Sequence, residues 1–283
     1  MMDYYRLLTV QDISCVGQCS LTVALPILSA CGIETCILPS AVLSTHTGGF
    51  TGYTFRDLTD DIPAIADHWE KEGIRFDAFY TGYLGSERQI DMVLDIFGRL
   101  PRGKATRYVD PAMADNGKLY AGFDADFVTA MKKLARNADV LLPNITEACL
   151  LTGTPYFTKA TRENISALID ALRKLCPGTI VLTGVGFDEG RTGVMVSDGS
   201  KTEYYEHELI SQGCHGTGDV FASAYVGCSM RGAAPLQAAK IAADYTVRCI
   251  RNTLGDDSHR YGVKFETAIP DLVARLSAEN AVK

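Results

Sequence analysis

The sequence predicts an α/β chain: a three-layer αβα sandwich with a mostly parallel central sheet and an antiparallel hairpin at one edge. Three observations predict it. Short, almost wholly apolar runs recur along the 283 residues. Segments of helical period fill the gaps between them. The alternation breaks once, late in the chain, where two runs are joined by four polar residues.

Taken in order, the apolar runs are "LLTV" (7–10), "ETCILP" (34–39), "DAFY" (77–80), "TRYV" (106–109), "DVLL" (139–142) and "TIVL" (179–182). Helical periodicity covers 19–31, 60–71, 87–98, 124–136 and 161–175. Strands apolar on both faces and separated by helices belong to a parallel sheet covered on both sides. "TGVMVS" (192–197) and "TEYYEHEL" (202–209), joined by "DGSK", read as the hairpin. Helices follow over 217–230, 235–252 and about 265–278. No composition shift marks a linker and no segment repeats, so residues 1–283 are expected to form a single domain.

Composition narrows the function. The chain is 47% hydrophobic and 22% charged, with a net charge of −7 and no basic stripe, which argues against nucleic acid as a partner. No apolar run approaches membrane-spanning length and the first ten residues lack a signal-peptide pattern. The nine cysteines form no CxxC pair and sit mostly in apolar runs, as reduced thiols of a cytoplasmic protein do.

Polar residues gather just past the strands: Gln11 to Ser14, Thr81 to Tyr83, Asp110 and Pro111, Pro143 to Glu147, Thr183 and Gly184. In open α/β sheets that edge binds ligands. The same residues could simply be polar connections, with Thr146 capping the helix that carries Glu147. Five loops delivering such side chains to one edge favour a site. Competing motifs fail on spacing. There is no GxxxxGK[ST], HExxH or GxSxG, and Glu189 stands where "GVGFDEG" (184–190) would need its third glycine to bind a dinucleotide.

The fragment "GCHGTGDVFAS" (213–223) places a carboxylate on a glycine-rich turn at the mouth of a helix. One reading is a turn with Thr217 or Asp219 as helix cap. The other is chemical: a helix N-terminus and bare glycine backbone bind an anion, and the carboxylate beside it takes a proton.

Six motifs occur in order: "STHTGG" (44–49), "TGYLGS" (81–86), "DPAM" (110–113), "LPNITE" (142–147), "VLTG" (181–184) and "GTGD" (216–219). Together they resemble the pyridoxal (vitamin B6) kinases of the ribokinase-like superfamily over nearly the whole chain. The resemblance implies ATP-dependent phosphorylation of the 5′-hydroxymethyl group of pyridoxal, pyridoxine or pyridoxamine. It implies Asp219 as general base and the backbone of Gly216, Thr217 and Gly218 as anion hole. Asn144 and Glu147 match an element that organises Mg²⁺ and its waters. Asp110 and Asp115 match aspartates facing metal and phosphates, Thr183 a threonine on the phosphates, and Tyr120 a lid tyrosine. On the acceptor side, Ser14 matches a contact to the polar edge of the pyridine ring. His46 and Thr47 lie in the loop covering it, and Tyr83 resembles the tyrosine beside it. Mg²⁺ with ATP as phosphoryl donor and a homodimer are implied, and a monovalent cation requirement is left open.

Two features qualify the resemblance. Leu142 stands where many pyridoxal kinases have threonine, removing a hydroxyl near the phosphates. His215 gives "HGTG", which is similar to hydroxymethylpyrimidine kinases, although those commonly carry cysteine at the place of Asp219. Hydroxymethylpyrimidine kinase is therefore one alternative. A non-catalytic vitamer-binding protein is the other, disfavoured by the intact Asp219, Asn144 and Glu147.

Overall fold

The computed structural model describes residues 4–210 and 214–281. The chain opens with β1 (Arg6–Ser14), α1 (Leu21–Ala30), β2 (Glu34–Leu43) and β3 (Phe55–Asp57). It continues through α2 (Ile62–Lys71), β4 (Phe76–Thr81), α3 (Glu87–Arg99) and β5 (Pro101–Val109). The miniature hairpin β6 (Ala114–Asp115) and β7 (Lys118–Leu119) precedes α4 (Ala125–Arg136), β8 (Val140–Leu141), α5 (Ile145–Thr152) and α6 (Arg162–Leu175). Then come β9 (Thr179–Thr183), β10 (Arg191–Ser197), β11 (Thr202–Glu208), α7 (Thr217–Met230), α8 (Pro235–Thr253) and α9 (Ile269–Ala281).

Nine strands form one sheet in the order β11-β10-β9-β8-β5-β4-β1-β2-β3. The six from β9 to β2 run parallel, and β10, β11 and β3 are antiparallel additions. Helices α2 to α6 cover one face, packing residues such as Ile90, Phe97, Leu134 and Leu168 onto Leu8, Phe79 and Leu182. Helices α1, α7, α8 and α9 cover the other, over Leu7, Tyr80 and Val181. This is the expected sandwich, with the hairpin β10–β11 at its edge. Among the described residues, no helix is long and apolar enough to cross a membrane.

Several elements differ from the sequence reading. Strand β1 runs on through Ser14 instead of stopping at Val10, because it lies between β2 and β4 and its polar tail is still paired: Ser14 is in register with Leu43. Strand β3 was not expected. Its "FRD" is exposed at the sheet edge, so it carries no apolar pattern to read. The β6–β7 hairpin, of two-residue strands, was also too short to leave a pattern.

The topology locates the functional edge. The chain starts at β1, adds β2 on one side, then crosses to add β4 on the other. The order therefore reverses between β1 and β4, the place where open parallel sheets leave a crevice. There Gly82 N–H donates to the Val10 carbonyl, and a Cβ on Gly82 would press on the Gln11 side chain, so glycine lets Gln11 lie against this turn.

Candidate active site

The glycine turn before α7 is built for close approach. Gly216 sits at the N-cap with φ +74°, a left-handed conformation suited to glycine. A Cβ there would strike the Gln18 carbonyl, so the turn is packed against the segment leading into α1. At Gly218 a Cβ would meet nothing within 4 Å, which leaves its backbone open to a ligand. Neither Thr217 nor Asp219 caps α7, contrary to the capping reading, since the N-cap residue is Gly216 and no side-chain cap bond forms. The carboxylate of Asp219 instead faces the backbone N–H of Ser20, ahead of α1. Burial, with Asp12 nearby, pushes its pKa up to about 7.

Asp110 and Glu147 face the same region. Burial raises Asp110 well above the usual carboxylate range, reinforced by Glu147 and Asp219. Glu147 is 3% exposed and raised mainly by burial. Its two oxygens accept from Met113 N–H at 3.1 Å and Asn144 N–H at 2.9 Å. Asn144 Oδ1 accepts from Glu147 N–H at 2.9 Å, which closes a capping box on α5. Asn144 Nδ2 also donates to the Ala114 carbonyl at 2.8 Å. Asn144 and Glu147 thus tie the "DPAM" segment to α5. Asn144, and not Thr146 as the sequence reading had it, is the cap. Thr146 Oγ1 accepts from Gly117 N–H at 3.0 Å.

Asp115 is exposed at the mouth of this region and accepts from Asn116 N–H at 2.8 Å. Tyr120 is 41% exposed, yet its phenol pKa is raised by burial and by Glu147, Asp110, Asp115 and Asp219. It therefore hangs over the acidic group. Thr183 ends β9 beside Pro143, bridging to Asn144 in parallel register. Leu142 is buried at 4% exposure, in the core beneath α7 and α8.

The carboxylates suit a divalent cation with solvent in its shell. Asp110 is repelled by Glu147 and Asp219, and no cationic side chain is among the causes that shift it. Among the described residues, however, no three Asp, Glu, His or Cys side chains converge closely enough to enclose a metal alone. The residues therefore fit Mg²⁺ held partly through water and phosphate oxygens, its usual manner.

The residues expected on the acceptor side gather around Asp12, which lies near Asp219. Ser14 is 1% exposed, and its Oγ donates to Asp12 Oδ2 at 3.3 Å. A Cβ on Gly17 would meet Cβ of His46 at 2.8 Å and of Ser14 at 3.2 Å, so Ser14 and His46 stand side by side. His46 Nδ1 accepts from Gly48 N–H at 3.1 Å, and burial lowers its pKa. Its ring lies 5.3 Å from that of His215, which connects the loop over the acceptor side to the glycine turn. Thr47 is exposed beside it. Tyr83 is half-buried and stacks on Phe123 at 5.5 Å, and Phe123 stacks on Phe127 at 3.8 Å. Burial and Asp12 raise the pKa of its phenol. Two residues of this site escaped the sequence reading: Asp12, seen only as part of a polar strand end, and Phe123, whose partner Tyr83 is 40 positions away.

Known proteins share this fold. The phosphomethylpyrimidine kinase family profile matches residues 31–263. A crystal structure from Bacteroides thetaiotaomicron, described as a phosphomethylpyrimidine kinase and crystallised with pyridoxal, is 36% identical, covering 95% of this chain and 96% of that one at a TM-score of 0.90. Pyridoxal kinase from Lactobacillus plantarum is 31% identical over 98% of both chains at a TM-score of 0.89. Hydroxymethylpyrimidine/phosphomethylpyrimidine kinase of Bacillus subtilis is 28% identical, covering 76% of this chain and 78% of its own length. With the sheet order, the glycine turn and the acidic group all in place, the chain belongs to the phosphomethylpyrimidine and pyridoxal kinase family of the ribokinase-like fold.

Proposed function

We propose that this protein transfers the γ-phosphoryl group of ATP to the 5′-hydroxymethyl oxygen of a B6 vitamer, a reaction of cofactor salvage. The observation that carries the reading is a half-buried carboxylate, Asp219, between an open glycine turn and a slot lined by Ser14, His46 and Tyr83. The 36% identical relative crystallised with pyridoxal supports the choice of acceptor.

In this reading the Asp219 carboxylate accepts the hydroxymethyl proton as the oxygen attacks the γ-phosphorus. The bond to the β-γ bridging oxygen breaks and ADP leaves. A base whose pKa lies near 7 is matched to that task. The backbone N–H groups of Gly216, Thr217 and Gly218 hold the charge on the transferred group, aided by the N-terminal dipole of α7. Glu147, Asp110 and Asn144 fix the segment that would hold Mg²⁺, with Asp115 at its mouth. When bound, Mg²⁺ neutralises phosphate charge. Thr183 lies on the phosphate side, and Tyr120 covers the region and limits water. His46 and Thr47 belong to the loop over the acceptor, so chemistry proceeds away from solvent. The reading includes a homodimer in the cytoplasm, the first part of which sedimentation at micromolar concentration tests.

One observation favours a second acceptor. The family profile and the Bacillus relative carry the pyrimidine name, and His215 precedes the glycine turn. A coupled ADP-release assay across three B6 vitamers and hydroxymethylpyrimidine decides between them.

A further inference from the structure

Asp12 has no part in the transfer step, yet the residue is only 6% exposed. It sits at the end of β1 opposite an irregularity: Gln11 pairs with Pro39 and Ile13 with Val42, so β2 carries one extra residue there. Bulges of this kind re-aim side chains beside functional sites. Ser14 Oγ donates to the carboxylate and the Ser20 hydroxyl faces it. The titratable groups facing it are His46 from the acceptor loop, Tyr83 after β4, Cys19 ahead of α1 and Asp219 from α7. Of these only His46 can carry positive charge, and burial and His215 hold its imidazole toward the neutral form. The acceptor region therefore contains a buried, oriented carboxylate that burial raises and whose one cationisable neighbour, His46, is itself held toward the neutral form by burial. Such a group is costly unless a positive partner meets it. Tyr83, which faces Asp12, stacks on Phe123, and such an aromatic surface suits a flat ring.

We propose that Asp12 determines acceptor specificity by binding the protonated ring nitrogen of a pyridinium through a charge-assisted N–H···O bond. This deepens the kinase reading and rests on it for the identity of the ring. A hydroxypyridine carries a ring proton readily near neutrality, as a zwitterion. An aminopyrimidine is a weaker base and presents a neutral ring. Asp12 therefore discriminates by charge, where Ser14 alone could discriminate only by hydrogen bonding.

The test compares wild type with Asp12→Asn on pyridoxine and on its benzene analogue, in which C–H replaces the ring nitrogen. Loss of a charge-assisted bond is expected to raise KM for pyridoxine about 10- to 100-fold, with kcat little changed at a pH well above 7, where Asp219 is ionised in both proteins. KM for the benzene analogue is expected to be the same in both proteins. Titration of bound pyridoxine by near-ultraviolet absorption supplies a readout independent of turnover: wild type keeps the ring protonated at a pH where Asp12→Asn does not. Asp12→Ser is the second variant, and thermal unfolding with nucleotide affinity reports that each variant is folded. Equal KM ratios for the two acceptors in wild type and variants would overturn the proposal, as would a fall in kcat with KM unchanged. If wild type binds ring-protonated pyridoxine but transfers no phosphoryl group, the kinase reading fails and the assignment of Asp12 stands.

Discussion

Asp12 and Asp219 share one neighbour: the Ser20 hydroxyl faces Asp12, the Ser20 backbone N–H faces Asp219, and each lowers the pKa of the carboxylate it faces. Ser20 has φ +49°, uncommon for a side-chain-bearing residue, and it begins α1 without a side-chain cap bond. The hydroxyl that would cap its own helix is turned to the acceptor carboxylate instead. In the proposed reading, acceptor recognition and proton abstraction are thus fixed to the same point, so the acceptor ring and the catalytic base share one frame.

The first expectation concerns Asp219. Asp219→Asn is expected to lower kcat by about 10²- to 10⁴-fold, with ATP affinity within a few-fold of wild type. In wild type, kcat/KM is expected to rise with pH through about 7, since the base must be ionised to act. Near-normal turnover in the variant would remove Asp219 from the role of base.

The two flanking glycines are expected to respond differently. At Gly216 a methyl group meets the Gln18 carbonyl at a positive φ, so Gly216→Ala is expected to lower both Tm and turnover. At Gly218 the methyl group meets open space. Gly218→Ala is therefore expected to leave Tm nearly unchanged while reducing kcat, because the methyl group enters the path of the phosphoryl group. A Gly218→Ala enzyme with full activity would place the anion elsewhere.

A pH effect on stability follows from Asp110, whose folded-state pKa is raised by burial, Glu147 and Asp219. A raised carboxylate contributes stability that is fully present below its unfolded pKa, near 4, and is lost as pH rises through the folded value. Ligand-free protein is thus expected to lose Tm as pH rises above about 4, and Asp110→Asn to flatten that loss. Thermal scans across pH would count against this if the two proteins ran parallel.

Glu147→Gln is expected to raise the Mg²⁺ concentration needed for half-maximal rate. Part of the effect is structural, because one of the bonds to Met113 and Asn144 is weakened. A metal titration at fixed ATP separates this from a loss of folding: an unchanged midpoint would reduce "NITE" to a helix cap.

The sequence discloses the layers well and the site unevenly. Helix α7 spans the expected 217–230, because its apolar pattern starts directly after the glycine turn. The hairpin was readable because its strands alternate around a polar turn. Asp12 was not singled out, because a carboxylate at the end of an apolar strand looks like the start of a loop. Only the irregular pairing of β1 with β2 around it, its burial and its closeness to His46 give it meaning. Asn144 was readable as a functional type, but its two bonds to Glu147 and Ala114 belong to α5 and to a hairpin too short to leave a pattern. Contacts between distant segments, such as Tyr83 on Phe123, have no local signal at all.

The central claim is that the acceptor is a B6 vitamer, and the relative kcat/KM for pyridoxal, pyridoxine, pyridoxamine and hydroxymethylpyrimidine tests it most directly. At least one vitamer is expected to exceed the pyrimidine by about tenfold or more, since the pyrimidine lacks the phenolic oxygen and leaves a buried partner unpaired. A higher kcat/KM for hydroxymethylpyrimidine than for every vitamer would contradict the account.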